Sequence, residues 1–462
     1  MSTSSELADL RGGEAAAAAG AERLLTGWGR TAPSLARVVE PASAEAVAAA
    51  LADAGERGAV ARGLGRSYGD AAQNAGGRVI DMTALDRVRD VDLEGATVTV
   101  DAGVSIEALA RLLVPLGLFV HVTPGTWHVT VGGAIAADVH GKNHHADGSF
   151  CDHVLSFELL TPAGGRLAVE PGDELFDATA GGMGLTGVVL SARLRLLRVG
   201  SSHVSVDRER AGDLDDLMAR MLARDDEYRY SVAWIDCLAR GRSLGRSVLI
   251  RGDHAPAGAG GPNGSLGGGA RLSAPPWTPP GLLRRSTVRA FNEAYYRAAP
   301  RSETGRVERL RPFFYPLDSV GSWNRVYGPS GLLQYQLAVP HGREDALRAA
   351  LERLSGAGCP SFLAVLKRFG PQRTGLISFP LEGWTLALDV PAAVPGLGAL
   401  LDGIDELVAE AGGRVYLAKD SRLRPDLLAA MYPRLDEWRA VRAGADPGGV
   451  MRSDMARRLG LA

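Results

Sequence analysis

The chain has 462 residues, with 51 basic and 53 acidic side chains, so its formal net charge is −2 at pH 7. This balance argues against a general nucleic-acid binder, which carries a basic excess. The length predicts two or three domains, because single hydrophobic cores stop growing at a smaller size. The three cysteines, Cys151, Cys237 and Cys359, are too few and too widely spaced to predict a disulfide framework or a cysteine-ligated zinc site.

The first 23 residues are rich in Ala, Gly and Glu, a composition typical of a disordered leader. They lack the basic segment followed by an apolar core that marks a secretory signal. No apolar run in the sequence is long enough to cross a bilayer. We therefore expect a cytoplasmic protein or one held peripherally at the plasma membrane, and the sequence leaves open on which side of the membrane it works.

Residues 24–198 mix short strand and helix signals and are predicted to form a first domain. Ser43 and Ser105 are each placed to cap a helix, and residues 59–61 predict a short buried strand. Residues 162–165 predict the turn of a β-hairpin. Strands and helices mixed without a regular βαβ period predict an α+β fold.

Residues 199–412 predict a second domain, an antiparallel sheet with flanking helices, and residues 413–462 predict a C-terminal segment that returns to the first domain. Within the second domain, residues 253–285 are dominated by Gly, Pro, Ser and Ala and predict a mobile loop. The loop carries Trp277 and ends in Leu-Leu-Arg-Arg at 282–285. Apolar residues beside basic ones are typical of a membrane-surface contact, and a tolerated surface insertion explains them equally well.

Three segments carry residues suited to ligand binding or chemistry, and the first is Arg62–Asp70. Its three glycines follow the predicted strand, and they let successive backbone N–H groups converge on an anion. The segment lacks the Gly-Lys-Ser/Thr of a Walker A loop and the glycine spacing of a Rossmann fold. A purely structural turn would give the same pattern.

The second segment is Pro124–His145, which contains the pair Gly132–Gly133 inside an apolar stretch. Adjacent glycines bring bare N–H groups close to a phosphate or a flat ring, or they mark a bulge or tight bend in a sheet. We expect no metal site at His140, His144 and His145, because no recognisable ligand set is complete and a lysine stands among them. The last two histidines are expected at the surface or in supporting hydrogen bonds.

The third segment is Tyr416–Arg422, in which Lys419 stands between an apolar strand and a charged turn. Such a lysine is usually a solvated residue at the end of a strand. The alternative is a cation held in an active site, and composition alone does not separate the two.

Taken in order, Arg62–Asp70, Pro124–Thr126, Thr130–Ala134 and His140–Asn143 resemble the PCMH-type FAD-binding domain of the vanillyl-alcohol-oxidase type of flavoproteins. Within that family the chain is similar to the oxidase subunits of decaprenylphosphoryl-β-D-ribose 2′-epimerases. The segments that carry this closer resemblance are 25–33, 323–325, 334–336, 418–422 and 453–458. The resemblance covers the sequence from residue 24 onward and is weakest in the Gly/Pro-rich loop.

The resemblance implies a two-part FAD-binding domain over residues 24–198 and a substrate-binding domain over residues 199–412. It implies an FAD-dependent oxidoreductase that oxidises the 2′-hydroxyl of decaprenylphosphoryl-β-D-ribose to the 2′-keto intermediate. A keto-reductase partner would complete this epimerisation, which makes the arabinose donor for cell-wall arabinan. Two alternatives stay open: a soluble sugar or polyol oxidase that uses O₂ with noncovalent FAD, and a flavin- or sugar-lipid-binding protein without turnover.

The resemblance also implies the residues of the site. Either Lys419 or His140 takes the hydroxyl proton, and the sequence does not decide between them. The residues expected to bind FAD are Arg62, Gly63, Leu64, Gly65, Arg66, Ser67, Tyr68, Pro124, Gly125, Thr126, Val131, Gly132, Gly133, Ala136, Ala137, Val139, His140, Asn143, Gly187, Val188, Tyr416 and Lys419. The residues expected to contact substrate are Tyr68, Lys142, Gln334, Gln336, Lys367, Thr385 and Ala387.

Two positions depart from relatives within the resemblance. Arg66 stands where many members of the wider family carry a histidine bonded covalently to flavin, so noncovalent FAD is expected. Ala387 stands where some close relatives carry a cysteine. Thiol-directed covalent inhibitors are therefore expected to fail on this chain, whereas catalysis, which needs no thiol, is expected to continue.

Overall fold

The structure is a computed structural model that describes residues 20–163, 165–260, 266, 272–276, 278 and 283–462. The predicted leader lies outside the described residues up to position 19. Trp277 and much of the predicted mobile loop also lie outside them. Regular structure begins earlier than we expected, because Ala21–Leu25 already forms a strand.

The first sheet contains the strands β1 (Ala21–Leu25), β2 (Ser34–Val39), β3 (Ala59–Arg62) and β4 (Arg78–Asp81). They lie in the order β1-β2-β4-β3, and both β2 and β3 run parallel to β4. The apolar side chains Val60, Val79 and Ile80 are fully buried in this sheet. Because β3 ends at Arg62, the glycine loop that follows emerges from the end of the sheet.

The second sheet contains the strands β5 (Val88–Asp92), β6 (Thr97–Asp101), β7 (Leu118–Val120), β8 (Val154–Thr161), β9 (Gly165–Val169) and β10 (Val188–Arg198). Its order is β5-β6-β10-β8-β9, and β7 pairs with β10. In β6 the alternate residues Val98 and Val100 are fully buried, as expected of a strand with one face on the core. The predicted hairpin is confirmed, because β8 and β9 pair antiparallel.

The remaining strands of the described chain are β11 (His203–Ala211), β12 (Tyr230–Ile235), β13 (Ser247–His254), β14 (Leu272–Ser273), β15 (Ser302–Arg309), β16 (Val320–Gly321), β17 (Leu332–Pro340), β18 (Ala364–Phe369), β19 (Gly383–Pro391) and β20 (Arg414–Val415). Eight of them form the third sheet, which is antiparallel and has the order β15-β11-β13-β12-β18-β19-β17-β20. The strands β14 and β16 form a separate parallel pair.

The helices pack around these sheets and are α1 (Ala44–Ala52), α2 (Ile106–Leu113), α3 (Val131–Ala136), α4 (His144–Asp147), α5 (Glu174–Thr179), α6 (Leu214–Arg224), α7 (Arg285–Ala298), α8 (Leu310–Phe314), α9 (Glu344–Ala357), α10 (Leu397–Glu410), α11 (Pro425–Met431), α12 (Leu435–Ala445) and α13 (Asp454–Leu459). Ser43 and Ser105 cap α1 and α2, as predicted. The prediction of an α+β fold is confirmed. In the described residues, no helix has the length and apolar character needed to cross a membrane.

The glycine pair at 132–133 lies in the first turn of α3, so the expectation of a bulge or bend in a sheet is wrong. Thr130 caps this helix, and its hydroxyl accepts a hydrogen bond from the Gly133 N–H at 3.2 Å. The Gly132 N–H donates to the Ala102 carbonyl at 2.8 Å. Both amides are therefore already bonded, and the pair contributes the absence of side chains rather than bare donors.

Residues after β20 cross back to the first sheet. Met451 forms a parallel bridge with Ala59 of β3, and the Arg452 N–H donates to the Ala59 carbonyl at 2.8 Å. Arg458 of α13 donates to Asp70 at 2.8 and 3.0 Å and forms an ion pair with Asp420 at 2.9 Å. These contacts tie the glycine loop, the segment around Lys419 and α13 into one unit.

Candidate active site

A cavity of about 530 Å³ is lined by residues from all three larger sheets, among them Arg62 of β3, Val189 of β10 and Gln334 of β17. Its size is typical of a cofactor or small-molecule site. In the described part of the chain, no carboxylate lines this cavity, whereas five cationic side chains do: Arg62, Arg66, Lys142, Lys367 and Lys419. Such a lining suits an anionic ligand.

One wall of the cavity is formed by segments rich in glycine and other small residues, and we call these segments the glycine wall (residues 62–69, 124–126 and 132–137). A Cβ atom added at Gly63 would lie 2.1 Å from the Thr130 hydroxyl oxygen, and one at Gly69 would lie 1.9 Å from the Asp420 carbonyl oxygen. Gly65 has φ +63°, which L side chains rarely adopt. These glycines are therefore required by close packing and by backbone conformation.

The glycine wall presents backbone donors that the protein itself does not use. Among the described residues, no acceptor receives the N–H groups of residues 64–67, Gly125 or Thr126. Such N–H groups are free to donate to a ligand, and a run of them in a glycine loop suits the oxygens of a phosphate or pyrophosphate. The turn at 124–126 is held in place by Asp318, which accepts from the Thr126 hydroxyl at 2.9 Å.

The two arginines of the glycine wall have different roles. Arg62 donates to the Ala72 and Thr26 carbonyls at 2.9 and 2.8 Å, so it fixes the loop from behind. Arg66 lies over the Trp28 ring, with its guanidinium carbon 3.8 Å from the ring centroid, and its buried Nε has no partner in the described chain. Arg66 is the arginine that is left with donor capacity toward a ligand.

The opposite wall is the face of the third sheet, and we call it the sheet wall. In β-strands alternate residues share a face, and the cavity is lined by Gln334 and Gln336 of β17 and by Val365 and Lys367 of β18. Register aligns Ala387 of β19 with both Gln336 and Val365. Alternate side chains of the neighbouring strands β17, β19 and β18 thus form one continuous surface.

Lys419 lies at the junction of the two walls, with its Nζ 4.2 Å from the centroid of the buried Tyr68 ring. Its ammonium has no hydrogen-bond acceptor among the described residues. Burial lowers the pKa of Lys419 to about 8, and the Asp389 carboxylate opposes that decrease. The alternative of a solvated residue at the end of a strand is therefore wrong for this lysine.

Asp389 was not among the predicted site residues. Its side chain is fully buried behind Gln334, whose amide donates to Oδ1, and Oδ2 has no partner in the described chain. Burial raises the pKa of Asp389 to about 7, while Gln334 and Lys419 oppose the increase. The signal in the sequence was the alternation that puts residue 389 on the same face as Ala387.

His140 is enclosed by Phe369, Phe379 and Tyr416, and its Nε2 lies 2.9 Å from Nε2 of Gln336. Thr385 donates its only hydroxyl proton to the Leu337 carbonyl, so it must accept from the Gln336 amide. The Gln336 NH₂ group therefore faces His140 too, and His140 Nε2 accepts. Burial and nearby cations hold the pKa of His140 well below its ordinary value.

Two further lysines complete the cationic lining. Lys142 donates to the Phe313 carbonyl and lies 4.3 Å from the Phe313 ring centroid, while Lys367 lies 5.7 Å from the Phe369 centroid. Burial lowers the pKa of each lysine to about 7.

His144 and His145 lie away from the cavity and are bonded to the protein. His144 is buried and accepts from the Gly370 N–H at 3.2 Å, and His145 lies 2.9 Å from the Tyr228 carbonyl. The expectation of hydrogen-bonding roles fits this geometry, but a surface position for His144 is wrong. Within the described ranges, no group of three or more His, Cys, Asp or Glu side chains is arranged to hold a metal ion.

Most of the residues predicted to bind cofactor or substrate line the cavity, and four do not: Val131, Asn143, Val188 and Thr385. Asn143 donates to the His121 carbonyl and to Asp147, and Thr385 is bonded to Leu337 and Gln336. Val131 and Val188 are buried in the apolar core. We expect these four residues to support the wall from behind rather than to touch a ligand.

Sequence analysis found the aromatic lining residues Tyr68 and Tyr416 but missed seven others. These residues come from the first loop, β12, α7 and the segments before β17 and β18: Trp28, Trp234, Phe291, Tyr295, Phe314, Trp323 and Phe362. Scattered aromatic residues carry no local signal of a shared site, since register and helix packing bring them together.

The family comparisons agree with this geometry. A model described as FAD binding domain matches residues 35–170, and one described as D-arabinono-1,4-lactone oxidase matches residues 394–459. Decaprenylphosphoryl-β-D-ribose oxidase of Mycolicibacterium smegmatis is 42% identical over 449 residues, which cover 95% of this chain and 97% of the relative. An uncharacterized Streptomyces coelicolor protein is 47% identical over 375 residues, covering 78% of this chain and all of the relative.

A third relative, L-gulono-1,4-lactone dehydrogenase of Mycobacterium tuberculosis, is 24% identical over 433 residues, covering 91% of this chain and 95% of the relative. Identity is thus much lower to a protein named for a free sugar lactone than to one named for a lipid-linked ribose. The chain belongs to the family of decaprenylphosphoryl-β-D-ribose oxidases, FAD-dependent oxidoreductases of the vanillyl-alcohol-oxidase type.

Proposed function

We propose that this protein oxidises the 2′-hydroxyl of a polyprenylphosphoryl-β-D-ribose to the 2′-ketone, with noncovalent FAD as cofactor. The observation that carries the proposal is the cavity itself, in which a glycine wall with unused backbone donors faces a sheet wall of polar side chains. Lys419 lies between the two. We propose the domain limits 24–198 and 199–412, because the strands of the first two sheets lie before residue 199 and the third sheet runs from β11 to β19 within the second range.

The residues present fit FAD. The unused N–H groups of residues 64–67 and 125–126, together with Arg66, supply donors for a pyrophosphate. The small residues Gly132, Gly133 and Ala136 leave room for a flat ring against the wall. Because the covalent histidine is replaced by Arg66, the flavin would be held by these contacts alone.

When bound, FAD supplies the acceptor for the hydride that leaves C2′ of the ribose. The chain must then remove the hydroxyl proton and accommodate the charge that arrives with the hydride. A base works best when its pKa lies near the working pH. Lys419, with a pKa lowered to about 8, meets this condition, and once protonated it provides a cation at the site.

His140 is the weaker candidate for the base. Its Nε2 already accepts from Gln336, and its Nδ1 is buried without a partner in the described chain. A ring nitrogen whose lone pair is engaged has nothing left to accept a substrate proton. We propose that His140 holds Gln336 in position and that Lys419 takes the proton.

Asp389 would set the proton affinity of Lys419. A carboxylate near a buried ammonium favours the charged form and raises its pKa, against the lowering by burial. Asp389 would therefore stabilise the protonated form of Lys419 once this lysine has taken the proton of the substrate hydroxyl.

A ketone product implies a partner enzyme. Inverting the 2′ carbon requires that a reductase return hydride to the opposite face of the ketone. We propose that a separate keto-reductase catalyses this step. We also propose that the oxidase associates with the membrane by peripheral contact.

Anaerobic reduction of the bound flavin tests the function. Polyprenylphosphoryl ribose should bleach the yellow protein, and ribitol or xylitol should not. Bleaching by the free alditols with release of peroxide in air would favour a soluble polyol oxidase, and flavin that no sugar reduces would overturn the proposal. Acid precipitation should leave the flavin in the supernatant, since no covalent bond is expected.

A further inference from the structure

The cavity has an aromatic arm that the oxidation itself does not use. Trp234 is almost fully buried within it, whereas Phe291 and Tyr295 line the same cavity and remain 47% and 38% exposed. Residues that both line a cavity and face solvent mark where the cavity opens. The arm therefore leads from the sheet wall to the surface at α7.

The rings of this arm are in contact with one another. The centroids of Trp234 and Tyr295 are 4.6 Å apart, those of Tyr295 and Phe291 are 6.0 Å apart, and those of Phe291 and Phe362 are 5.9 Å apart. The indole N–H of Trp234 donates to the Phe362 carbonyl at 3.0 Å, so its polar atom is already bonded. Apart from the Tyr295 hydroxyl, the side chains of the arm leave an apolar surface to a ligand.

The helix that carries the two exposed rings is firmly anchored. Val288 and Asn292 are fully buried, and the Asn292 amide donates to Asp236 at 2.7 Å. Glu293 forms an ion pair with Arg246 at 2.6 Å. Positions 291 and 295 are one turn apart and share a face, so the helix holds both rings at the opening.

We propose that this arm, from Trp234 to Phe291 and Tyr295, is the exit channel for the isoprenoid tail of the substrate. The proposal rests on the proposed function, because it assigns the tail of that same substrate. A single molecule with an anionic head and a long apolar tail matches the lining in both parts: lysines at the sheet wall and aromatic rings toward the surface. The head cannot reach the lysines unless the tail leaves by an apolar route.

The test compares F291S/Y295S with F291L/Y295L and with L222S, a matched loss of an apolar side chain that is 52% exposed on α6. Michaelis constants are measured in detergent for decaprenylphosphoryl ribose and for methylphosphoryl ribose, which has no tail. The serine pair should raise KM for the lipid by about tenfold to a hundredfold, the range expected for one to two lost apolar contacts. Its KM for the methyl compound should stay within twofold, and the leucine pair and L222S should behave like the parent.

Equal changes for both substrates, or no change for either, would overturn the channel. Loss of binding to phosphatidylcholine vesicles with an unchanged KM in detergent would also overturn it, since the rings would then contact the bilayer instead. Flavin content and melting temperature report folding of each variant.

A binding measurement separates failure of the channel from failure of the proposed function. Decaprenyl phosphate, which lacks the sugar, is titrated against the FAD-loaded protein. The serine pair should bind it at least tenfold more weakly than the parent, whether or not the protein oxidises ribose. Equal affinity would sink the channel even if turnover is found.

Discussion

The two walls of the cavity recognise their ligands in opposite ways. The glycine wall works by the absence of side chains, since a Cβ at Gly63 or Gly69 would lie 2.1 or 1.9 Å from a neighbouring oxygen. The sheet wall works through the identity of its side chains, such as Gln336 and Lys367, which project from alternate positions of regular strands. Substitutions in the first wall should abolish cofactor binding, and those in the second should change chemistry while cofactor remains.

Lys419→Met should have the largest effect on catalysis, because it removes the proposed base at nearly constant volume. General-base catalysis contributes about 10²–10⁴-fold, so the rate of anaerobic flavin reduction should fall by that order. The flavin content should stay near one per chain, which would show that the glycine wall is intact in this variant. A reduction rate within threefold of the parent would remove Lys419 from the role of base.

Gly63→Ala should break the glycine wall instead. The new Cβ would clash with the Thr130 hydroxyl oxygen, and such overpacking costs about 1–3 kcal/mol. We expect the purified protein to lose most of its flavin absorbance. Gly398→Ala on α10, where a Cβ meets nothing within 4 Å, is the matched control and should retain flavin. Full flavin content in both variants would contradict the close-packed wall.

Asp389→Asn should shift the pH dependence of flavin reduction. The base acts in its neutral form, so the rate rises as pH increases through the pKa of Lys419. The Asp389 carboxylate raises that pKa, and its removal should move the rising limb to lower pH. Lys367 and His140 also face Lys419 and are unchanged in this variant. Because the pKa of Asp389 is about 7 and that of Lys419 is about 8, the two profiles should differ most between pH 7 and 8 and converge at higher pH. If the rising limb lies at the same pH in the variant and the parent, Asp389 does not affect the pKa of the base.

Ala387→Cys should have the smallest effect on turnover. Cys151, Cys237 and Cys359 are buried, and burial raises their pKa values, so the folded parent should resist maleimide. The new thiol lines the cavity and should be labelled once per chain, with protection by substrate. Mass spectrometry gives the stoichiometry. Labelling of the parent at the same rate would contradict a cavity without thiols.

Much of the fold was predictable from local sequence, because capping serines, alternating Val/Thr strands and Gly/Pro turns are local signals. The helix at 131–136 was missed, since two glycines disfavour a helix and only the Thr130 cap supports it. In the site, the glycine loop and Lys419 were found through motif and resemblance. Asp389 was missed, although the alternation of β19 puts it on the same face as Ala387. The aromatic arm was also missed, because it depends on strand register and on the packing of α7, which no short segment encodes.

The return of the C-terminal residues to β3 has a consequence for biosynthesis. A growing chain folds its first-made parts first, yet the glycine loop is bonded to Arg458, and β3 is bridged by Met451. Arg458 and Met451 are both translated after the strands of the three larger sheets. The contacts that hold the glycine loop and β3 are therefore completed only at the end of translation. We expect a product that is terminated before α13 to be purified without flavin.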